Sequence, residues 1–148
     1  MERTTNREKL LDYVNYHRAK RKDWNKLLAL PLVVLFTIYD IWMVEGLFHK
    51  IGIIDSIYIY HQATFRFLFP AIIIFISLIL KSWRFFMYSM IGIYCGWLDI
   101  LYYLLRGRNL PDVYTWLPFS PASSDLVMFA IVVLLFAIFI DVLVKKHD

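Results

Sequence analysis

Four apolar segments, each long enough to cross a lipid bilayer, constrain the fold of this chain more than any other feature. They cover approximately residues 27–48, 57–80, 85–105 and 126–144. A membrane-spanning helix needs about 20 predominantly apolar residues, because the hydrocarbon core of a bilayer is about 30 Å thick. The chain is 60% hydrophobic, whereas a soluble domain is roughly half apolar. We therefore predict an all-α, polytopic membrane protein, a four-transmembrane-helix up-down bundle formed by residues 27–148.

The segment before the first span, residues 1–26, is basic and has no apolar core, so it is not a cleavable signal peptide. Leu10, Tyr13 and Val14 fall on one side of a helix, with lysines and arginines around them. This pattern predicts an amphipathic helix on the membrane surface, with its cations near anionic lipid headgroups. A solvated tail is the alternative interpretation. Because these cations lie at a membrane edge, lipid is the predicted partner and nucleic acid is not.

The distribution of positive charge predicts the orientation. Four spans place both termini on the same side of the membrane. Twelve of the 16 lysines and arginines lie in the segments on that side, and four lie in the segments on the other side. Cytoplasmic segments carry the excess of lysine and arginine in membrane proteins. We therefore predict a cell-membrane protein with cytoplasmic N and C termini.

The stretch from Ile91 to Arg106 combines an apolar span with a polar stripe, so we expect the other helices to be arranged around it. A carboxylate such as Asp99 costs at least about 2.5 kcal/mol in hydrocarbon, and it should therefore face protein. Ser89, Gly92 and Gly96 provide a small-residue face, which is typical of close helix packing.

A buried polar layer is predicted from the depths of charged residues along their spans. Asp40, Arg66 and Asp99 each lie roughly 20 Å from the cytoplasmic ends of their helices at 1.5 Å per residue. Tyr102 follows Asp99 on the same stripe. The structural interpretation is that Arg66 pairs with Asp40 or Asp99, and that the pair fixes the register of the helices.

A metal site is the alternative interpretation of the polar residues near the outer surface. Glu45 and His49 are four residues apart, on one helix face, and His61 is predicted at a compatible height. This nitrogen and oxygen ligand set is found in Cu, Zn and Fe sites. A third interpretation is a proton or ion pathway through Asp40, Asp99 and Tyr102.

Two acidic residues of the fourth span have simpler explanations. Asp125 is predicted to be the N-cap of the helix that begins at Leu126. Asp141 lies one turn before Lys145, which predicts an ion pair at the membrane edge.

Known catalytic motifs are missing from the sequence. The single cysteine, Cys95, excludes an intrachain disulfide, and no Walker A, GxGxxG, CxxC or HExxH motif occurs. The run from Gly96 to Tyr103, followed by Leu110-Pro111 and Trp116-Leu117-Pro118, resembles a pattern in small prokaryotic membrane proteins. That resemblance implies no particular activity.

The short length and the missing motifs predict a structural or accessory subunit of a larger membrane complex, such as a respiratory or monooxygenase-type assembly. Such a subunit is not catalytic on its own. The alternatives are a membrane enzyme or metal-handling protein with the Glu/His/His/Asp site, and a small oligomeric ion- or proton-coupled transporter.

Overall fold

The computed structural model describes residues 6–51, 56–113 and 121–147, and most of these residues are helical. In the described ranges, β structure is limited to one isolated bridge between Val113 and Ala122. The predicted all-α class is therefore confirmed. The helices are α1 (Asn6–Asn25), α2 (Lys26–Ile51), α3 (residues 56–80), α4 (Trp83–Tyr94), α5 (Trp97–Leu105) and α6 (Ser123–His147).

Four segments of this helical chain have the length and the apolar character of membrane spans. Three are single helices: Lys26–Ile51, Ile59–Leu80 and Ser123–Val144. The pair α4 and α5, which is bent by 63° at a short break, is the fourth when it is counted as one span. The predicted membrane bundle is confirmed. Residues 1–5 of the predicted basic segment, residues 52–55 of the first connection and residues 116–118 of the proline-rich loop lie outside the described residues.

The α4–α5 pair is the central element of the bundle, in agreement with the role predicted for Ile91–Arg106. It packs against α2, α3 and α6. The core between these helices contains the stacked rings of Phe36 and Phe69, whose centroids are 4.1 Å apart. Burial of such aromatic and aliphatic side chains between helices provides close packing in a membrane, where lipid supplies no hydrophobic drive for association. The other buried members of this core are Ile73, Ile93 and Leu98.

Helix α1 leads directly into the first span. The side-chain amide of Asn25 donates to the backbone oxygen of Leu80 at 3.4 Å, which holds the α1–α2 junction against the end of α3. The apolar side chains Leu10, Tyr13 and Val14 are exposed. The binding of this exposed face to a lipid surface stays a prediction.

A short polar turn, Lys81 and Ser82, separates α3 from α4. Lys81 adopts a left-handed conformation with φ of 48° after the last residue of α3. The hydroxyl of Ser82 then accepts a hydrogen bond from the backbone N–H of Phe85 at 3.2 Å and caps α4. Such caps satisfy N–H groups that have no partner within the helix.

The start of α6 differs from the prediction by three residues. Helix α6 begins at Ser123, and Asp125 lies in its first turn rather than at its N-cap. The hydroxyl of Ser123 donates to the carbonyl of Pro111, and its backbone N–H donates to Asp112. These bonds to the preceding loop, which no local sequence signal indicates, set the start of the helix.

The break between α4 and α5 lies at Cys95 and Gly96, inside the segment predicted as one span. Gly96 has φ of 91°, a left-handed conformation that residues with a Cβ adopt only with strain. Directly after the break, the indole Nε1 of Trp97 donates to the backbone oxygen of Ala130 in α6 at 3.2 Å. The bent helix is therefore held by α6 at the point where it changes direction.

Gly92 lies where α4 approaches α2 most closely. A Cβ built on Gly92 would be 2.4 Å from the Cγ2 atom of Val33, a distance that real Cβ atoms do not adopt. The side chain of Ser89, one turn earlier, is fully buried on the same helix. Small residues at this spacing let two helix backbones come together.

We expect Gly92→Ala to lower the free energy of unfolding by about 1–3 kcal/mol, because the added methyl group overpacks the contact with Val33. Gly46→Ala is the matched control, since its Cβ would be an ordinary 3.4 Å from its nearest neighbour, Trp42. Unfolding in detergent measures both. Recovery of stability in the Gly92→Ala/Val33→Ala double variant would assign the loss to this contact, and wild-type stability of Gly92→Ala alone would contradict it.

Candidate functional site

Charged and hydroxyl side chains gather between the helices at two levels of the bundle. One level, termed the Arg106 end, is where α5 ends and where α2 connects to α3. The other, termed the Asp141 end, is where α2 begins and α3 connects to α4. Three groups of side chains at these two levels account for the paired charges described below.

The Asp40 group consists of Asp40, Tyr60, His61 and Asp99 and lies towards the Arg106 end. Asp40 is buried, and its Oδ1 accepts a hydrogen bond from the hydroxyl of Tyr60 at 3.1 Å. The Nε2 atom of His61 is 3.5 Å from the same oxygen. That separation is long for a hydrogen bond, so the contact with His61 is mainly electrostatic.

Asp99 completes this group from the first turn of α5. It lies within electrostatic range of Asp40 and His61. The backbone N–H groups at a helix N-terminus carry a partial positive charge, which favours a carboxyl group in the first turn. The break at Gly96 creates this N-terminus inside the span, and it thereby places Asp99 beside the new helix end.

The Glu45 group consists of Glu45, Tyr102 and Arg106 and joins α2 to α5. The NH1 atom of Arg106 is 2.6 Å from Oε1 of Glu45. The hydroxyl of Tyr102 donates to the same carboxylate oxygen at 3.2 Å and accepts from Arg106 at 3.3 Å. Three polar groups thus satisfy one another, and the ion pair fixes the two helices in register.

The Asp141 group consists of Lys26, Arg84 and Asp141 at the opposite end. Asp141 is buried, with Lys26 Nζ 2.6 Å from Oδ2 and Arg84 Nε 2.5 Å from Oδ1. The carboxylate therefore joins the starts of α2 and α4 to α6. We predicted an ion pair at the membrane edge for Asp141, and the structure gives it two partners that are distant in sequence, Lys26 and Arg84. The side chain of Lys145, the predicted partner, lies outside the part of the chain that the structure describes. Lys26 and Arg84 lie at the starts of their spans, and Asp141 lies near the end of the last span, so all three are at the same membrane depth. That shared depth is the sequence signal from which the pairing could have been predicted.

Arg66 differs from its predicted position in the buried polar layer. It is exposed, and Asp40 is instead contacted by Tyr60 and His61. The cause is a π-helical turn at Thr64–Leu68, which changes the face that each residue occupies. In an α-helix the ring of Pro70 would clash with the carbonyl of Arg66, four residues earlier, and widening the turn relieves that clash.

The π-helical turn leaves the carbonyl of Phe65 without a hydrogen-bond donor from its own helix. A side chain of α4 provides the donor instead. The N–H of Phe69 donates to Thr64, and Pro70 has no N–H, so neither can donate to the carbonyl of Phe65. The hydroxyl of Tyr94 donates to that carbonyl at 2.5 Å. Unpaired backbone groups are costly in a membrane, so this bond stabilises the irregular turn.

The predicted metal ligands are not brought together. Glu45 is paired with Arg106, His61 faces Asp40 and His49 is exposed. A second π-helical turn, Trp42–Phe48, contains Glu45, so the α-helical spacing that aligned Glu45 with His49 does not apply. Across residues 6–51, 56–113 and 121–147, no three His, Cys, Asp or Glu side chains form a group that could hold a metal ion.

Three irregular segments lie in the spans that carry the Asp40 and Glu45 groups: the two π-helical turns and the break at Cys95–Gly96. A short 3-10 turn, Lys26–Leu28, begins the first span at the Asp141 end. π-Helical turns inside helices occur frequently at functional sites. A discontinuous helix within a membrane is tolerated only where protein or water surrounds it. The Arg106 end of the bundle is therefore the candidate functional region.

The fold and these interhelical charges define a small helical membrane protein with a buried polar region. No family model, curated protein or solved structure matches the chain.

Proposed function

We propose that the chain is a small integral-membrane accessory subunit that supports a larger membrane protein complex. The observation that carries this proposal is the use of the intramembrane charges. Glu45 and Arg106 neutralise each other between α2 and α5, and Asp141 forms ion pairs with both Lys26 and Arg84. Charges used in this way fix the register of helices, which is the requirement of a scaffold.

The outward faces of the spans are compatible with neighbouring protein helices. Helix α6 contacts the bundle through a narrow stripe that includes Leu126, Ala130 and Asp141. Large apolar side chains such as Phe136 and Phe139 are exposed on its other faces. A partner helix or lipid can cover such a surface, and the test below separates these two cases.

The experiment is extraction of the tagged full chain from its native membrane in mild detergent, followed by native mass measurement and identification of co-purifying chains. We expect a fixed ratio of other membrane chains, at a total mass above the 17.7 kDa of this protein. A single chain carrying only lipid, found both in detergent and after cross-linking in the native membrane, would contradict an accessory role.

Asp99→Asn is the matched control in this experiment, because Asp99 takes no part in the interhelical ion pairs described here. We expect the variant to keep its partner chains. Arg106→Met removes the cation of the Glu45 group and is expected to reduce the amount of recovered complex. Equal recovery of both variants would show that the interhelical pair does not support assembly.

A further inference from the structure

The Asp40 group differs from the other two groups because no lysine or arginine of the described part of the chain forms an ion pair with it. Glu45 has Arg106, and Asp141 has Lys26 and Arg84. Among the residues that the structure describes, Asp40 is paired only with His61, and no ion pair or hydrogen bond reaches Asp99. Two carboxylates without a permanent cation would leave a double negative charge in a span, which is costly.

The geometry of His61 gives an independent indication of a proton. Its Nε2 atom is buried and has no hydrogen-bond partner, although Oδ1 of Asp40 is only 3.5 Å away. If neither atom carried a proton, the lone pairs of the nitrogen and the oxygen would face each other. A proton on Nε2, which the neutral ring carries in one tautomer and the protonated ring always carries, turns this repulsion into an attraction between His61 and Asp40.

We propose that Asp40, His61 and Asp99 form a proton-binding site within the membrane span. In its neutral state the site holds two protons on three acceptors: Asp99 carries a neutral carboxyl group, and protonated His61 faces the carboxylate of Asp40. The N-terminus of α5 favours negative charge at Asp99. Asp40, however, accepts a direct hydrogen bond from Tyr60 and faces His61, and these contacts stabilise a charge more strongly, which assigns the negative charge to Asp40.

The third acceptor is free, so a proton can move within the site. When the proton leaves His61 for Asp40, an N–H bond breaks, an O–H bond forms and the net charge stays zero. The side chain of His61 is 43% exposed, whereas that of Asp40 is 6% exposed. His61 therefore connects the buried carboxyl group of Asp40 to the surface of the bundle, and proton exchange is expected to pass through it.

The groups around the site come from three helices. Tyr39 and Glu45 lie on α2 with Asp40, and Tyr60 accompanies His61 on α3. From α5, Tyr102, Tyr103 and Arg106 lie near the carboxyl groups. Arg106 is engaged by Glu45 at 2.6 Å, so it does not replace the proton on Asp99.

Infrared spectroscopy of the full chain in lipid vesicles tests this proposal in neutral buffer. We expect the carbonyl stretch of a protonated carboxyl group, displaced on exchange into heavy water. Asp99→Asn should remove it, whereas Asp125→Asn should not, because Asp125 is exposed at the start of α6. His61→Gln should add a second carboxyl signal, because Asp40 then takes the proton.

A second variant tests the same carboxyl group if Asp99→Asn does not fold. Asp99→Glu keeps the carboxyl group and is expected to displace the signal without removing it. The absence of a protonated-carboxyl signal in the wild type would overturn the proposal. A signal that is unaffected by Asp99→Asn, Asp99→Glu and Asp40→Asn would also overturn it. The accessory role stands independently, because it is tested by co-purification.

Discussion

Asp141→Asn is expected to lower the free energy of unfolding by about 3 kcal/mol, because removing one partner of a buried ion pair leaves the other charges uncompensated. The substitution preserves the size of the side chain and removes its charge. Lys26 and Arg84, which Asp141 holds at 2.6 Å and 2.5 Å, would then repel each other. The two cations are 31% and 21% exposed, and this partial access to solvent places the loss at the lower end of the range for buried pairs.

The effect should appear in the junction of three helices. Asp141 joins the starts of α2 and α4 to α6, so its loss removes the described charged contact between α6 and the rest of the bundle at this end. Equilibrium unfolding in detergent measures the change. Asp125→Asn, on the same helix but exposed, is the matched control and is expected to change stability by less than about 1 kcal/mol, through the helix dipole alone.

Two results would contradict this account of Asp141. If Asp141→Asn and Asp125→Asn destabilise the protein equally, the contacts with Lys26 and Arg84 contribute nothing measurable. If Asp141→Asn is as stable as the wild type, the ion pairs of Asp141 do not contribute to holding α6 in the bundle.

Gly96→Ala is expected to lower the free energy of unfolding by about 3 kcal/mol through two effects that can be separated. The left-handed conformation, with φ of 91°, costs a residue with a Cβ roughly 1–2 kcal/mol. The Cβ would also lie 2.8 Å from Cδ1 and 2.9 Å from Cγ of Leu126. Overpacking of this kind typically costs about 1–3 kcal/mol.

Gly107→Ala measures the cost of the left-handed backbone without crowding, because Gly107 has φ of 61° and nothing lies within 4 Å of its Cβ position. The Gly96→Ala/Leu126→Ala double variant relieves the crowding but keeps the strained backbone. We expect Gly107→Ala to lose less stability than Gly96→Ala, measured by unfolding in detergent. A stable Gly96→Ala protein would show that glycine at this position does not impose the bend between α4 and α5.

Sequence length and hydrophobicity were sufficient to predict the spans. The bilayer thickness sets how many apolar residues a helix needs, and this count does not depend on the partners of the helix. The central role of Ile91–Arg106 also followed from the sequence, because a carboxylate in a span must face protein. The break at Cys95–Gly96 did not follow, because a glycine inside an apolar span can adopt a helical or a left-handed conformation and the sequence does not show which.

The sequence predicted most of the residues that form the candidate site, but it did not predict which of them contact each other. Asp40, Asp99, Glu45 and His61 lie in polar groups between the helices, as their position in spans indicated. Arg66 lies on the surface, because a π-helical turn before Pro70 rotates it away from the bundle interior. The α-helical spacing used to place it does not hold through such a turn.

The sequence by itself determined that this is a helical membrane protein, where its spans lie and which side chains are too polar to face lipid. The tertiary structure alone decided which charges meet. Glu45 and Arg106 are 61 positions apart, and Lys26 and Asp141 are 115 positions apart. Each side chain has several candidate partners at the same depth, and small departures from regular α-helix decide which of them come within hydrogen-bond distance.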